Sequence, residues 1–555
     1  MRYKLRAGLV GTALALVAAT CVVVAPGLIG PSVAGAAQVP LNLANEQGML
    51  WPCTFNPFNP SSSPYSVGVT YETLEFVNSL QSGKVTPWLA TSSAWSNGNR
   101  TLTFAIRSGV KWSDGVPFTA ADVVYTFNLL KKYPALDTNA VWSVLSSVKQ
   151  VGTSSVVFNF STPAVPYFYY VAGQVPIVPE HIWSKIANPV TDPISNPIGT
   201  GGYLMNKCTP QNIQWTNNPH YWQKGKAVVH TVNMPAFLTN NTCNEYLATG
   251  QSQWGAQFIP NIKSYYVAKK PGNSYWFPPV ANVSLFPNLT AAPLNDLAVR
   301  EAISYAINRP RVSKIGEYGY EPPASQVGIV APTFKSWLNP AAVKAVGSSY
   351  DPAKAKAVLK ADGYKLVNGV FEKNGRKLSL TIITNGGYSD WIASMQVVAS
   401  ELTQVGIATT VNPIASTNFY SDVYAGKFQL AYNVESGGPS PFYELRQWLY
   451  SKNSAPIGQP AASNWERFSN KSVDSLLNSY STTTSSARQH SIVNQLQMIM
   501  VKQLPVIPVL EEVDWYEYNP KEFSGFPTAS NPYAQPAQYN IPDWGYILDN
   551  LKPVK

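Results

Sequence analysis

Charge is scarce in this chain. Asp, Glu, Lys and Arg together make up 13% of its 555 residues, so polar coverage must come from Asn, Ser, Thr and Gln. No run of Lys or Arg exceeds two residues. That excludes a polybasic arm for nucleic acid or anionic lipid, in spite of a formal net charge of +10. Cysteine is limited to four and no C-x-x-C pair occurs, so neither a zinc ribbon nor a redox dithiol is indicated. Histidine is equally rare. His181, His220, His230 and His490 show no H-E-x-x-H or clustered spacing, and seven Met form no cluster. No G-x-S-x-G elbow marks a serine hydrolase. The sequence therefore offers no catalytic residue, no metal site and no cofactor. A secreted hydrolase stays as the rival class, because carboxylates suffice for a glycosidase pair.

What is present describes a large folded body. Apolar residues are 45%, enough for a buried core, and the length divides into two or three lobes. Aromatics reach 12%, with 16 Trp and 31 Tyr, beside 45 Pro. That composition gives stiff loops and a surface able to stack on a ligand.

The N-terminus reads as an address. Arg2, Lys4 and Arg6 precede the apolar run Ala7–Val24, which Pro26, Gly27, Gly30 and Pro31 break. Ala34-Gly35-Ala36 supplies small residues for cleavage, so residues 1–36 are expected to be an export signal. Cys21 follows Ala18-Ala19-Thr20, a weak lipobox, and is the lipidation candidate if a lipoprotein signal ends at residue 20 instead. The alternative of an uncleaved anchor also fits the run's length. In each case the mature chain works outside the cytoplasm, at the cell surface or in the periplasm. No later stretch is long enough to span a membrane. Exported thiols tend to pair. Cys208 and Cys243 share a central region and are expected to form a disulfide, with Cys53 a buried free thiol.

Thr101–Ile106 and Val156–Phe160 alternate as half-buried strands, and Thr119 is a plausible cap for a helix over Ala120–Lys131. The loop Gly199-Thr200-Gly201-Gly202 opens a strand rather than a helix, which argues against a phosphate cradle. Helices are expected over Leu294–Asn308, Ala353–Asp362, Ile392–Gln404 and Ile492–Leu504, and strands over Val283–Phe286, Leu378–Thr384 and Pro505–Leu510. This alternation predicts an α/β fold with sheets flanked by helices.

An ordered set of segments resembles one family. They are Pro87-Trp88-Leu89-Ala90, Gly109-Val110-Lys111-Trp112-Ser113-Asp114-Gly115, Phe118–Tyr125, Pro197–Tyr203, Asn218-Pro219-His220-Tyr221-Trp222, Leu294–Ala302 with Ala306–Arg309, Tyr350-Asp351-Pro352 and Gly406-Ile407. Together they are similar to the extracytoplasmic solute-binding proteins of ABC importers, oligopeptide/dipeptide-binding type (family 5). The resemblance covers about residues 40–550. It implies a two-lobed clamshell of the periplasmic-binding-protein type. Its first lobe would be discontinuous (37–72, 195–275 and 505–555), with an accessory domain at 73–194 and a second lobe at 276–504. It also implies a monomeric receptor that captures a peptide or related small solute and hands it to a membrane permease, with an oligosaccharide receptor of the same fold as the alternative. Asp114, Asp122 and Arg300 would be scaffold, Arg300 paired with an acid.

Peptide-binding members carry an Asp that pairs with the ligand ammonium, in a segment matching Phe428–Pro441. No Asp occurs there, so Glu435 takes that role or the ligand is not a free-amino peptide. Tyr432, Asn433 and Ser436 are the accompanying candidates. Alternation sends Glu511 and Glu512 to opposite faces of a strand, which makes Glu512, with Trp515, a candidate for an amino-bearing ligand. Trp254 and Gln257 would suit a peptide or, by stacking and amide hydrogen bonds, a sugar. Asn56 and Phe58 correspond to a segment that lines the cleft in relatives.

Overall fold

The computed structural model describes residues 39–45, 48–59, 62, 64–345, 350–435 and 437–554. The export segment, its Cys21 and the candidate Ser436 lie outside the described residues. Two large mixed sheets carry the architecture. The first has seven strands in the order Ser274–Tyr275, Glu517–Tyr518, Trp254–Ala256, Leu41–Asn45, Thr231–Pro235, Asn212–Asn217 and Tyr203–Thr209. Leu41–Asn45 lies at its centre, parallel to both neighbours and buried almost throughout, as a strand covered on both faces must be.

The second sheet has five strands, in the order Ala408–Ile414, Ser379–Asn385, Leu430–Val434, Pro279–Pro287 and Ile507–Val513. The first three are parallel, joined by the helices Ser389–Gln404 and Ser416–Ala425, the crossovers that parallel pairing demands. Pro279–Pro287 is antiparallel to both its neighbours. A separate four-stranded antiparallel sheet (Ala90–Ser96, Thr101–Ile106, Ser155–Phe160, Leu145–Val151) packs against the helix Ala120–Lys132. That helix starts where the sequence predicts. Ala121 N–H donates to Thr119 Oγ1 and Thr119 N–H to Asp122 Oδ2, so Asp122 is half of a capping box.

The chain passes between the two large sheets along 275–279 and returns along 513–517. The passages are zipped together: Trp276 N–H donates to Tyr516 O at 3.0 Å and Asp514 N–H to Pro278 O at 2.9 Å. One short two-stranded ribbon therefore joins the sheeted bodies, a geometry that suits hinge motion. Ile507–Val513 hydrogen-bonds with Pro279–Pro287, so this strand belongs to the five-stranded sheet, whereas the family resemblance groups 505–555 with the first lobe.

Two expectations are corrected. Cys208 is bonded to Cys53, not to Cys243. Cys208 sits on the outer edge strand, and Trp51 draws the loop of Cys53 over that edge, its backbone N–H donating to Pro210 O and its indole N–H to Met234 O. Cys243 lies on the helix Asn240–Ala248, which packs on Leu41–Asn45, and is buried beside Leu247, Ile259 and Ile262. Three strand spacings, roughly 14 Å, separate those two strands, too far for a disulfide to bridge. Among the described residues Arg300 forms no salt bridge with an acid. Its guanidinium donates to the carbonyls of Leu294, Gln503 and Leu504, and so satisfies orphan groups at the end of the helix Ser486–Gln503. The glycine loop is a packing device. A Cβ on Gly199 would stand 1.8 Å from Thr70 O and one on Gly201 2.1 Å from Val69 O.

Candidate functional site

Open α/β sheets bind ligands beyond the carboxyl ends of their strands. Here the strand Ser379–Asn385 ends in Gly386-Gly387-Tyr388, and the next helix begins with Ser389, Asp390 and Trp391. Asp390 and Trp391 line a cavity of about 220 Å³ whose other wall comes from the body of the seven-stranded sheet: Asn240, at the start of the helix Asn240–Ala248, and Gln257 and Phe258, just after the strand Trp254–Ala256. Glu512, at the end of Ile507–Val513, and Trp515, in the returning passage, complete it. Trp391 is held edge-on against Tyr432 at 5.3 Å and Tyr388 at 5.1 Å. Trp515 packs edge-on against Phe258 at 5.4 Å and Phe277 at 4.9 Å, and its backbone N–H donates to Tyr539 Oη. The two walls touch: Asn240 Nδ2 donates to Ser389 Oγ at 3.0 Å and to Asp390 Oδ1 at 3.1 Å.

A second cavity of about 560 Å³ adjoins the first and shares Val434, Glu512 and Tyr539 with it. Asp137–Ala140, Tyr169 and Tyr170 reach it from beside the four-stranded sheet, and Asp514 and Asn540 from the other side. Arg446, on the helix Pro441–Leu449, is its buried cation. The guanidinium lies 5.5 Å from the Tyr167 and Tyr170 rings and 5.2 Å from that of Tyr450, and donates to Tyr167 Oη.

The electrostatics of the smaller cavity are one-sided. Burial, reinforced by the Asp390 charge, pushes the Glu512 carboxyl up to about 8. Burial raises Asp390 to about 6, against hydrogen bonds from two backbone N–H groups and Asn240. Glu317 and Glu321, behind these two, are driven well above the carboxylate range, first by burial and then by neighbouring acids. Burial also lifts Asp514, which accepts from Asn540 Nδ2, to about 8.

Of the residues singled out in the sequence, Gln257, Glu512 and Trp515 meet at the smaller cavity. Strand alternation turns Glu511 the other way, where it accepts from Ala331 N–H at 2.7 Å. Trp254 is buried in the seven-stranded sheet with its indole N–H on Pro536 O, away from both cavities. Asn56 is buried and donates to the carbonyls of Pro189 and Asp192. Phe58 packs on Trp183 and borders a small hollow beside Asp137. Tyr432 and Asn433 lie within the five-stranded sheet. Glu435 is buried beyond the strand end, near Glu466 and Glu444, and lines neither cavity. The sequence missed Asp390, Trp391, Asn240, Tyr539 and Arg446. The Gly-Gly-Tyr turn between strand and helix was the readable signal for the first two.

Residues 84–456 match the family model described as bacterial extracellular solute-binding proteins, family 5 Middle. Among curated relatives, the nickel-binding periplasmic protein of Escherichia coli (strain K12) is 26% identical over 411 residues, 70% of this chain and 75% of that protein. The glutathione-binding protein GsiB of Shigella dysenteriae serotype 1 is 25% identical over 457 residues, covering 76% and 80%. Among solved structures, the mannohexaose-bound periplasmic oligopeptide-binding protein of an oligopeptide ABC transporter from Thermotoga maritima superposes with a TM-score of 0.88. It is 27% identical, over 93% of this chain and 99% of that one.

Proposed function

We propose a receptor function from one premise: the chain belongs to the bacterial extracellular solute-binding proteins, family 5. Members of this family are transport receptors that work with ABC permeases outside the cytoplasm. This chain is an extracytoplasmic substrate-binding receptor of an ABC importer, taking a peptide or related small solute between its two lobes. The carrying observation is the shared crevice, to which the seven-stranded body gives Asn240 and Gln257, the five-stranded body Asp390, Trp391 and Glu512, and the returning passage Trp515. A ligand that touches both walls stabilises the closed arrangement, and none of these contacts requires a bond to break.

We place the lobe boundary within the zipped passages, at 275–279 and 513–517, and read the four-stranded sheet as the accessory domain. The receptor acts as a monomer, without catalysis, and stays at the envelope either through lipid on Cys21 or through its permease. The second reading is an oligosaccharide cargo. It is supported by the mannohexaose in the Thermotoga maritima relative and by tryptophans on opposite walls of the smaller cavity, which suit sugar rings.

Native mass spectrometry of protein purified from its exporting host tests the receptor function. One small solute, released unchanged on denaturation, is expected. Protein that retains no solute, or returns it chemically altered, would contradict the reading.

A further inference from the structure

We propose that the small antiparallel sheet Lys365–Val367, Val370–Lys373 and Arg376–Lys377, with the helix Pro352–Ala361 before it, is a docking surface for an anionic lipid bilayer. This goes beyond the receptor reading and does not depend on where the cargo lies.

Charge is concentrated here in a chain that has little of it. Residues 351–380 hold seven Lys and Arg against Asp351, Asp362 and Glu372, an excess of four out of the formal +10 of the whole chain. In sequence these cations are scattered, and the fold gathers them. Strand register sets Glu372 opposite both Lys365 and Lys377, so two cations flank one acid on the same face. The other acids are engaged. Lys373 Nζ lies 2.6 Å from Asp362 Oδ2 and 3.5 Å from Asp296 Oδ2, and Asp351 caps its helix by accepting from Lys354 N–H. Lys360, Lys365, Arg376 and Lys377 are exposed, and none forms an ion pair among the described residues.

Apolar side chains stand among these cations. Leu366 is 48% exposed and Val367 36%, next to Lys365 and beside the Asn368-Gly369 turn, whose residues both have positive φ. A second such turn, Asn374-Gly375, leads into Arg376. The sheet is fixed to the body beneath it: Phe371 is buried, and its N–H donates to Gly406 O at 2.8 Å. A Cβ on Gly406 would stand 2.9 Å from both Leu366 Cδ1 and the Phe371 ring, so the sheet sits directly on the loop after the helix Ser389–Gln404. Two tight turns and a buried anchor therefore present the exposed pair on a rigid frame.

The mixture of cations and apolar side chains selects the partner. A soluble polyanion answers the cations and leaves Leu366 and Val367 in water. A bilayer with anionic lipid offers phosphate to the cations and hydrocarbon to the apolar pair, with lysine stems lying along the boundary. Members of this family work with membrane permeases, so such a bilayer is at hand. Docking confines the receptor to the plane in which its permease lies and needs no lipid on Cys21. The contact is reversible and sensitive to salt, because a few exposed cations act through a screened potential.

The test is flotation of the mature chain, carrying no N-terminal lipid, with vesicles of dioleoylphosphatidylcholine alone or mixed equally with dioleoylphosphatidylglycerol. At about 50 mM NaCl the mixed vesicles should bind about tenfold more protein, and most of that binding should be lost at about 500 mM. Lys365→Glu with Lys377→Glu should remove the difference, and Lys365→Arg with Lys377→Arg should keep it. Lys149→Glu with Lys207→Glu makes the same change of charge on other sheets and should leave binding in place. Leu366→Thr with Val367→Thr keeps every charge and should lower binding about threefold. Circular dichroism checks that each variant is folded. Equal binding to the two vesicle types, or binding to neither, overturns the proposal. An equal loss in the variant at Lys149 and Lys207 overturns it in favour of net charge alone. Undiminished binding in the variant at Leu366 and Val367 overturns it in favour of a site for soluble polyanions. The receptor function stands in each case.

Discussion

At the scale of single residues, the crevice is lined by acids whose protons the fold holds to higher pH than an unfolded chain would. Asp514 and Glu512 are each raised to about 8 by burial, and Asp390 to about 6. In the unfolded chain these groups return to ordinary carboxylate values, so the folded state holds more protons between about pH 4 and pH 8. Stability must therefore fall as pH rises through that window, by about 1.4 kcal/mol per pH unit for each extra proton the folded state holds. The ligand-free midpoint is expected to be lower at pH 8.5 than at pH 5.5, and Glu321→Gln should narrow the gap. A midpoint that climbs across the window would contradict the protonated cluster. The sequence made Glu512 legible because alternation along Val509–Val513 forces one of two adjacent acids toward the crevice. The same reading offered Glu435 for a ligand amine, and that side chain lines neither cavity. Matching a family segment fixes a position along the chain, and the end of Leu430–Val434 turns that side chain into the interior beside Glu466. Asp390 faces Glu512 across some 120 residues of sequence, and no local pattern encodes that meeting.

At the scale of elements, strands and helices were largely readable and their partners were not. Thr101–Ile106 alternates and is found as predicted, and the helix Ser389–Gln404 contains the expected Ile392–Gln404. The same local signals could not say that Tyr203–Thr209 is an edge strand, and so could not choose the partner of Cys208. The Cys53–Cys208 bond ties the segment after the central strand to that edge, closing a loop of 155 residues. The loop-closure argument gives about 5 kcal/mol for a loop of that length, and disulfides typically deliver about 2–4 kcal/mol. The paired variant Cys53→Ser, Cys208→Ser is expected to unfold several degrees lower, and non-reducing peptide mapping should link the peptides carrying these two residues. A cross-link to the Cys243 peptide, or an unchanged midpoint, would contradict this topology.

At the scale of the whole molecule, two sheeted bodies meet at a zipped double passage and again through Asn240, Ser389 and Asp390. The crevice between these contacts is where both bodies can hold one solute, and the aromatic and acidic walls come from segments far apart in sequence. The ordered motifs were enough to indicate two lobes. The passages themselves emerge only once Pro278 and Asp514 are seen to pair. The most direct measurement is a crystal structure of the protein loaded with the solute it retains on purification. The account predicts density between Trp391 and Trp515, in contact with Glu512 and with residues of both bodies. A solute on an outer face, or held by one body alone, would contradict it.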